Sequence, residues 1–204
     1  QLLVYSGQSN MKKVWLECGG KTPNIILDDY EDLKTAAETA CLGIFFNQGQ
    51  VCTAASRLII SQSRKEEFLD ELLKFAQKIN IGNPLDIATE YGPLVSIKHL
   101  KRIEDYVSRG LEEGAKLIYG GHKLSSDHEG FYYLPTIFDC STNDMGICQE
   151  EIFGPILSIL TVNNDDEAIN IANDSKFGLA ACLWTSNLNK AHLYAKKLRA
   201  GMVW

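Results

Sequence analysis

Apolar positions along the chain alternate between the three-and-four spacing of helix faces and short unbroken runs suited to strands. From Leu33, apolar or small residues recur at Ala36, Ala37, Ala40, Cys41, Ile44 and Phe45, which predicts a helix. Asp28, Asp29 and Asp32 stand before it, where acidic side chains cap or complement a helix start. Asn47-Gln48-Gly49 closes it. Phe68, Leu72, Phe75, Ala76 and Ile79 predict a second helix, opened by the capping-box sequence Ser63-Arg64-Lys65-Glu66 and stopped at Gly82-Asn83-Pro84. A third runs after Ser96 through Ile97, Leu100, Ile103, Val107 and Leu111 to Gly114. A fourth lies near 166–173, and a last one follows Asn187 with Leu188, Ala191, Ala195 and Leu198. Between them, strands are expected at Leu58–Ile60, at Lys116–Tyr119, around Tyr133–Phe138, at Ile156–Val162 and at Leu179–Trp184, with a short one at Val14–Leu16. Strands alternating with helices of this length predict an α/β fold, three layers in αβα order, with a largely parallel sheet covered on both faces. The most polar stretch, 122–130, reads as a surface loop.

Composition narrows the partners. The chain has 204 residues, 45% of them hydrophobic, enough for one globular domain with a sizeable core. Its formal net charge is -6, and Lys and Arg are scattered rather than clustered, so nothing draws in a nucleic acid backbone. No run approaches the roughly 18 apolar residues of a membrane helix, and the first ten residues do not resemble a signal peptide. The expected setting is cytoplasmic. Both ends look cut within an element: the chain opens on Leu2-Leu3-Val4-Tyr5 and stops at Gly201-Met202-Val203-Trp204, a glycine helix stop and the opening of a strand. Six cysteines, Cys18, Cys41, Cys52, Cys140, Cys148 and Cys182, form no CxxC pair and match no zinc-finger spacing. No metal site is expected, and every cysteine except Cys52 reads as a small, reduced core residue.

Cys52 differs because of its surroundings. In Phe45-Phe46-Asn47-Gln48-Gly49-Gln50-Val51-Cys52-Thr53-Ala54-Ala55-Ser56-Arg57 a helix ends in glycine, a short loop carries the thiol, and a strand follows. Such a loop can expose the sulfur while rigid elements fix its direction. Its backbone N–H groups can hold a thiolate or an oxyanion. Free cysteine is among the most buried residue types, but the small and polar neighbours Gln48, Gly49, Gln50, Thr53 and Ser56 argue against a core position here. In Trp15-Leu16-Glu17-Cys18-Gly19-Gly20-Lys21, Glu17 precedes a glycine pair that lets backbone approach a ligand, a suitable place for a general base; a solvated Glu at a strand end is the plainer alternative. Glu150-Glu151-Ile152-Phe153-Gly154-Pro155 reads on its own as a tight turn feeding a strand.

Taken together and in order, these three segments resemble the signatures of the aldehyde dehydrogenase superfamily. Tyr91-Gly92-Pro93-Leu94, Pro135-Thr136-Ile137, Ala172-Asn173-Asp174-Ser175, Phe177-Gly178-Leu179 and Ala200-Gly201 extend the resemblance over essentially the whole chain. It is nearest to the bacterial γ-glutamyl-γ-aminobutyraldehyde dehydrogenases of putrescine breakdown, through Ser9-Asn10-Met11-Lys12-Lys13-Val14-Trp15-Leu16-Glu17 and Asp28-Asp29-Tyr30-Glu31-Asp32-Leu33. The resemblance implies that Cys52 is the nucleophile and that Glu17 activates the water which releases the acid. It implies that Glu151 and Phe153 hold the nicotinamide ribose and pack near the ring. Cys18, beside Gly19, takes a position whose carbonyl faces the nicotinamide amide and which usually holds Leu, Ala or Met. NAD or NADP is the implied cofactor, an aldehyde the substrate, and a homodimer or homotetramer the implied assembly. On the same basis residues 1–17 correspond to the tail of a cofactor-binding domain and 18–204 to an incomplete catalytic domain, so this chain alone is expected not to turn over aldehyde.

Two other classes compete. A Cys-dependent hydrolase or acyltransferase needs a histidine base, and His99, His122, His128 and His192 sit in no recognisable base motif. A non-catalytic binding module with the same fold has no use for both Cys52 and Glu17.

Overall fold

The computed structural model describes residues 1–124 and 130–204. Most of the expected surface loop at 122–130, with His128, therefore lies outside the described residues. Seven strands form one sheet in the order β3-β4-β5-β2-β1-β6-β7. They are β1 (Pro23–Ile26), β2 (Arg57–Ser61), β3 (Lys116–Tyr119), β4 (Thr136–Cys140), β5 (Ile156–Val162), β6 (Ala180–Trp184) and β7 (Met202–Val203). Every pairing is parallel except the edge pair of β3 and β4.

The helices are α1 (Leu2–Gly7), α2 (Leu33–Phe45), α3 (Lys65–Ala76), α4 (Ile97–Glu112), α5 (Gly146–Gln149), α6 (Asp165–Asn173) and α7 (Leu188–Lys197). Successive side chains of a strand point to opposite faces, and the two cores follow from that. Leu58, Ile60, Leu157 and Ile159 meet Ala36, Ala40, Ile44, Phe68 and Leu72 of α2 and α3 on one face. Ile59, Ile156 and Leu160 meet residues of α4, α5, α6 and α7 on the other. This is the three-layer αβα arrangement expected from the pattern.

Local differences have physical reasons. The run Val14–Leu16 forms no strand: Trp15 is 88% exposed, and no ladder neighbour satisfies the backbone there. The strand that matters begins later, at Pro23, whose missing N–H is tolerated at the first position of a strand. Ser63 does not cap α3. Its hydroxyl donates to Asp28 Oδ1 at 2.7 Å, and α3 begins after Arg64 with no side-chain cap. Asp32, Ser96, Asn164 and Asn187 cap their helices through the backbone amides that follow.

Candidate active site

Cys52 is half-buried in the loop that joins α2 to β2. A 3-10 turn at Phe46–Gly49 precedes it, with Asn47, Gln48 and Gly49 all at positive φ. Asn and Gly tolerate that region; Gln does so only under constraint. The constraint is visible. Asn47 Nδ2 donates to the Gln50 carbonyl, Gln50 N–H returns to the Asn47 carbonyl, and the Val95 amide donates to Gln50 Oε1. Ala54 N–H closes a turn onto the Val51 carbonyl, which holds Cys52 at its tip.

Two glycines dock this loop by backbone contact. A Cβ on Gly20 would lie 2.3 Å from the Cys52 carbonyl oxygen, and one on Gly49 would lie 2.2 Å from the carbonyl oxygen of Gly154. Only hydrogen fits at either place. The first contact presses the Glu17-containing segment against the nucleophile loop, and the second presses that loop against the Glu150–Pro155 turn. Glu151 closes the triangle, its Oε1 accepting the Gly20 N–H at 2.9 Å. The three sequence segments thus meet at one end of β1 and β2.

Glu17 is exposed, in chain without regular structure. Three residues of extended chain span at most about 10 Å, which bounds the distance of its backbone from Gly20. Cys18 is exposed, contrary to the expectation that every cysteine but Cys52 is a core residue. The segment holding it runs outside the sheet and has nothing packed over it. Gly19 lies against the Glu151 carboxylate: a Cβ there would come within 2.3 Å of Oε2. Phe153 has φ +63 and is 41% exposed, a strained backbone at an accessible aromatic residue whose ring meets that of His99 edge to face. These positions suit a nicotinamide nucleotide in one respect: the carboxylate that the bare Gly19 admits and the Gly20 N–H holds can accept from ribose hydroxyls.

Sequence reasoning did not single out the residues that hold this turn. Arg102 donates to the carbonyls of Glu151 (2.9 Å) and Ile152 (3.4 Å), and His99 Nε2 pairs with the Phe153 carbonyl at 2.6 Å. Both project from α4 at Leu-containing helical spacing, and nothing local marks them. Glu150 accepts from Arg109 and from the Tyr106 hydroxyl, and the Arg109 hydrogen bond holds its carboxyl below the usual range. His122 pairs with the Gly120 carbonyl, and His192 is an exposed residue of α7. Among the described residues no histidine is hydrogen-bonded to Cys52.

Beneath the loop lies Arg57, 1% exposed. Its guanidinium donates to the Lys21 carbonyl, to Asn143 Oδ1, and to the Ile171 and Ala172 carbonyls at the end of α6. Burial pulls its pKa down to about 10, which leaves it charged at neutral pH. Lys21 is fully buried, with no hydrogen-bond partner for Nζ among the described residues, and burial lowers it to about 8. Beside the nucleophile, Val51 and Thr53 line an open cavity of about 830 Å³ with Leu42, Phe46, Trp184 and Trp204.

The aldehyde dehydrogenase family model matches residues 2–204. Betaine aldehyde dehydrogenase of Bacillus subtilis is 44% identical over 99% of this chain and 41% of its own length. Among solved structures, a mutant of Pseudomonas syringae indole-3-acetaldehyde dehydrogenase, in complex with NAD+ and IAA, superposes with a TM-score of 0.94 at 50% identity, covering 100% of this chain and 41% of that one. γ-Glutamyl-γ-aminobutyraldehyde dehydrogenase from Burkholderia cenocepacia gives 0.93 at 45% identity with the same coverage. The chain spans about two-fifths of the length of these relatives. It belongs to the aldehyde dehydrogenase family.

Proposed function

We propose that the protein containing this chain oxidises an aldehyde to a carboxylic acid with NAD or NADP, and that Cys52 and Glu17 carry the chemistry. The observation that supports this most directly is the backbone docking at Gly20 and Gly49, which gathers the thiol loop, the Glu17 segment and the Glu151 turn. Cys52 Sγ adds to the aldehyde carbon to give a thiohemiacetal. When bound, a nicotinamide dinucleotide supplies the hydride acceptor. Cys52 then holds the acyl group as a thioester, labile enough to hydrolyse. Glu17 takes a proton from the attacking water, and the acid leaves. The Cys52 N–H stabilises the oxyanion at each addition. Glu151, Gly19 and the Cys18 carbonyl bind and orient the cofactor at its ribose and amide, and Phe153 packs against it.

In this reading residues 1–17 are the tail of a cofactor-binding domain and 18–204 an incomplete catalytic domain, from a cytoplasmic homodimer or homotetramer. The substrate is γ-glutamyl-γ-aminobutyraldehyde, an intermediate of putrescine breakdown, as the likeness to the Burkholderia cenocepacia enzyme suggests. The full-length parent should oxidise it in preference to simple aliphatic aldehydes, and assays with NAD and NADP side by side identify the cofactor. In that parent Cys52→Ala should abolish NAD(P)H formation, and Glu17→Gln should let a thioester adduct accumulate on Cys52, visible by intact mass. Full turnover in Cys52→Ala would refute the assignment. The isolated chain should form no NAD(P)H.

A further inference from the structure

Helix α4 carries a polar row to which the chemistry proposed above gives no role. His99, Arg102, Tyr106 and Arg109 stand at three-and-four spacing, one line along the helix beside the buried line of Leu100, Ile103 and Val107. Residues 150–153 lie along this row in the opposite sense. Arg109 and the Tyr106 hydroxyl donate to the Glu150 carboxylate at 2.8 and 2.7 Å. Arg102 donates to the Glu151 carbonyl at 2.9 Å and to the Ile152 carbonyl at 3.4 Å. His99 Nε2 pairs with the Phe153 carbonyl at 2.6 Å. The lengths agree: ten residues of helix rise about 15 Å, and four residues of extended chain span at most about 14 Å. Four successive residues are thus each held by the same helix.

We propose that His99 and Arg102 are positioning residues for the nicotinamide nucleotide. Tied to α4, the backbone of 151–153 holds the Glu151 carboxylate where ribose hydroxyls reach it and keeps the Phe153 ring in place to pack against the cofactor. The two side chains act through the turn, and this role rests on the cofactor reading above. Glu151 is anchored at both ends, its carboxylate by the Gly20 N–H at 2.9 Å and its carbonyl by Arg102. Phe153 needs the tie for a different reason. At φ +63 its backbone occupies a region that costs free energy in any residue but glycine and persists only where the surroundings fix it. His99 supplies part of those surroundings twice, through the carbonyl and through its ring, 6.5 Å from that of Phe153 and edge to face. A carbonyl only accepts, so His99 carries a proton on Nε2 when it makes this bond. Without that donor Phe153 relaxes out of the left-handed region, and its ring and the Glu151 carboxylate lose their common setting.

The test compares His99→Leu and Arg102→Met, which remove the donors, with His99→Gln and Arg102→Lys, which keep one of similar reach. In the present chain, hydrogen exchange across 150–156, read by mass, should quicken in the first two variants and stay near wild type in the second two. In the full-length parent, NAD and NADP are each titrated by fluorescence. The dissociation constant and the KM of whichever the parent uses should rise about fivefold for each donor removed, the effect of one lost hydrogen bond. The KM for the aldehyde should not move, and the conservative variants should restore cofactor binding. Unchanged exchange in both donor-lacking variants overturns the proposal, because the row then does not hold the turn. Faster exchange with unmoved cofactor binding overturns it too, leaving the row a purely structural part. A full loss of cofactor binding in His99→Gln and Arg102→Lys, with exchange restored, would mean direct contact with the cofactor and overturn it equally. A wild-type parent that forms no NAD(P)H with any aldehyde sinks the aldehyde reading and this role with it, a failure told apart from the others because it precedes any substitution. Should Arg102→Met fail to fold, His99→Leu decides alone.

Discussion

At the scale of single residues, Lys21 makes a prediction with a definite sign. Its folded pKa is depressed to about 8 from an ordinary 10.5. Below pH 8 both folded and unfolded chains carry the charge, and the folded state bears the full cost of burying it. Between about 8 and 10.5 the unfolded chain binds more protons, so stability rises with pH. The whole window is worth about 3 kcal/mol, and the first unit above pH 8 about 1 kcal/mol. Cys148, depressed as well, acts in the same direction. Urea unfolding of the wild type and Lys21→Met at pH 7, 8 and 9 should show the variant's advantage shrinking as pH rises. Cys41 and Cys182, with raised values, oppose this trend above pH 9, but they are common to both proteins and cancel in the difference. A gap that stays constant or widens would mean that Lys21 is solvated.

Thiol reactivity tests the site at the same scale. Cys18 is exposed and Cys52 half-buried on a loop tip, while Cys41, Cys140 and Cys148 are buried. Brief iodoacetamide treatment of the native chain should therefore label Cys18 and Cys52 well before these three, as read by peptide mapping. Cys182, half-buried like Cys52, should lag as well, because burial pushes its thiol up to about 11. Gly20→Ala should cost about 2 kcal/mol, because its methyl can be accommodated only by moving the Cys52 carbonyl. That displacement should also change the Cys52 alkylation rate.

At the scale of elements, the periodic segments were the readable ones. α2, α4, β3 and β5 appear within a residue or two of the expected positions because each buries a strongly patterned face. Pro23–Ile26 was not read as a strand, although it lies third from one edge with all four residues buried. Four residues that include Pro and Asn carry little strand signal, and only the ladders to β2 and β6 define them. The site divides in the same way. Cys52 and Glu17 could be picked out as candidates because glycines and polar residues broke the apolar pattern around them, whereas Glu151 was named only through the family resemblance. Arg102, His99 and Arg57 act on carbonyls distant in sequence, and no local signal announces that. Arg57 is the strongest case, since one guanidinium ties β2 to the Lys21 segment and to the end of α6. Arg57→Met should cost about 3 kcal/mol or more in chemical unfolding, because it leaves several buried acceptors without a donor. A loss under 1 kcal/mol would show that water replaces the guanidinium.

At the scale of the whole molecule, the first seventeen residues stand apart from the sheet. Helix α1 buries none of its residues, and Leu2, Leu3, Val4, Tyr5 and Trp15 are each more than half exposed. The hydrogen bonds of Ser6 and Ser9 stay within the same stretch, to Tyr5, Ser6 and Lys12. Exposed apolar side chains of this kind favour association with another surface. Removing residues 1–17 should then leave the thermal midpoint within about 2 °C of the parent chain, since a single kcal/mol of lost packing shifts a domain of this size by about 2–4 °C. It should also reduce self-association at high concentration, measurable by sedimentation. A midpoint lower by 5 °C or more would place part of this stretch in the cooperative unit, and the boundary proposed between 17 and 18 would have to move toward the N-terminus. Because Glu17 is removed with the rest, an unchanged midpoint would also separate the proposed base from the stability of the fold, as expected of a residue kept for chemistry.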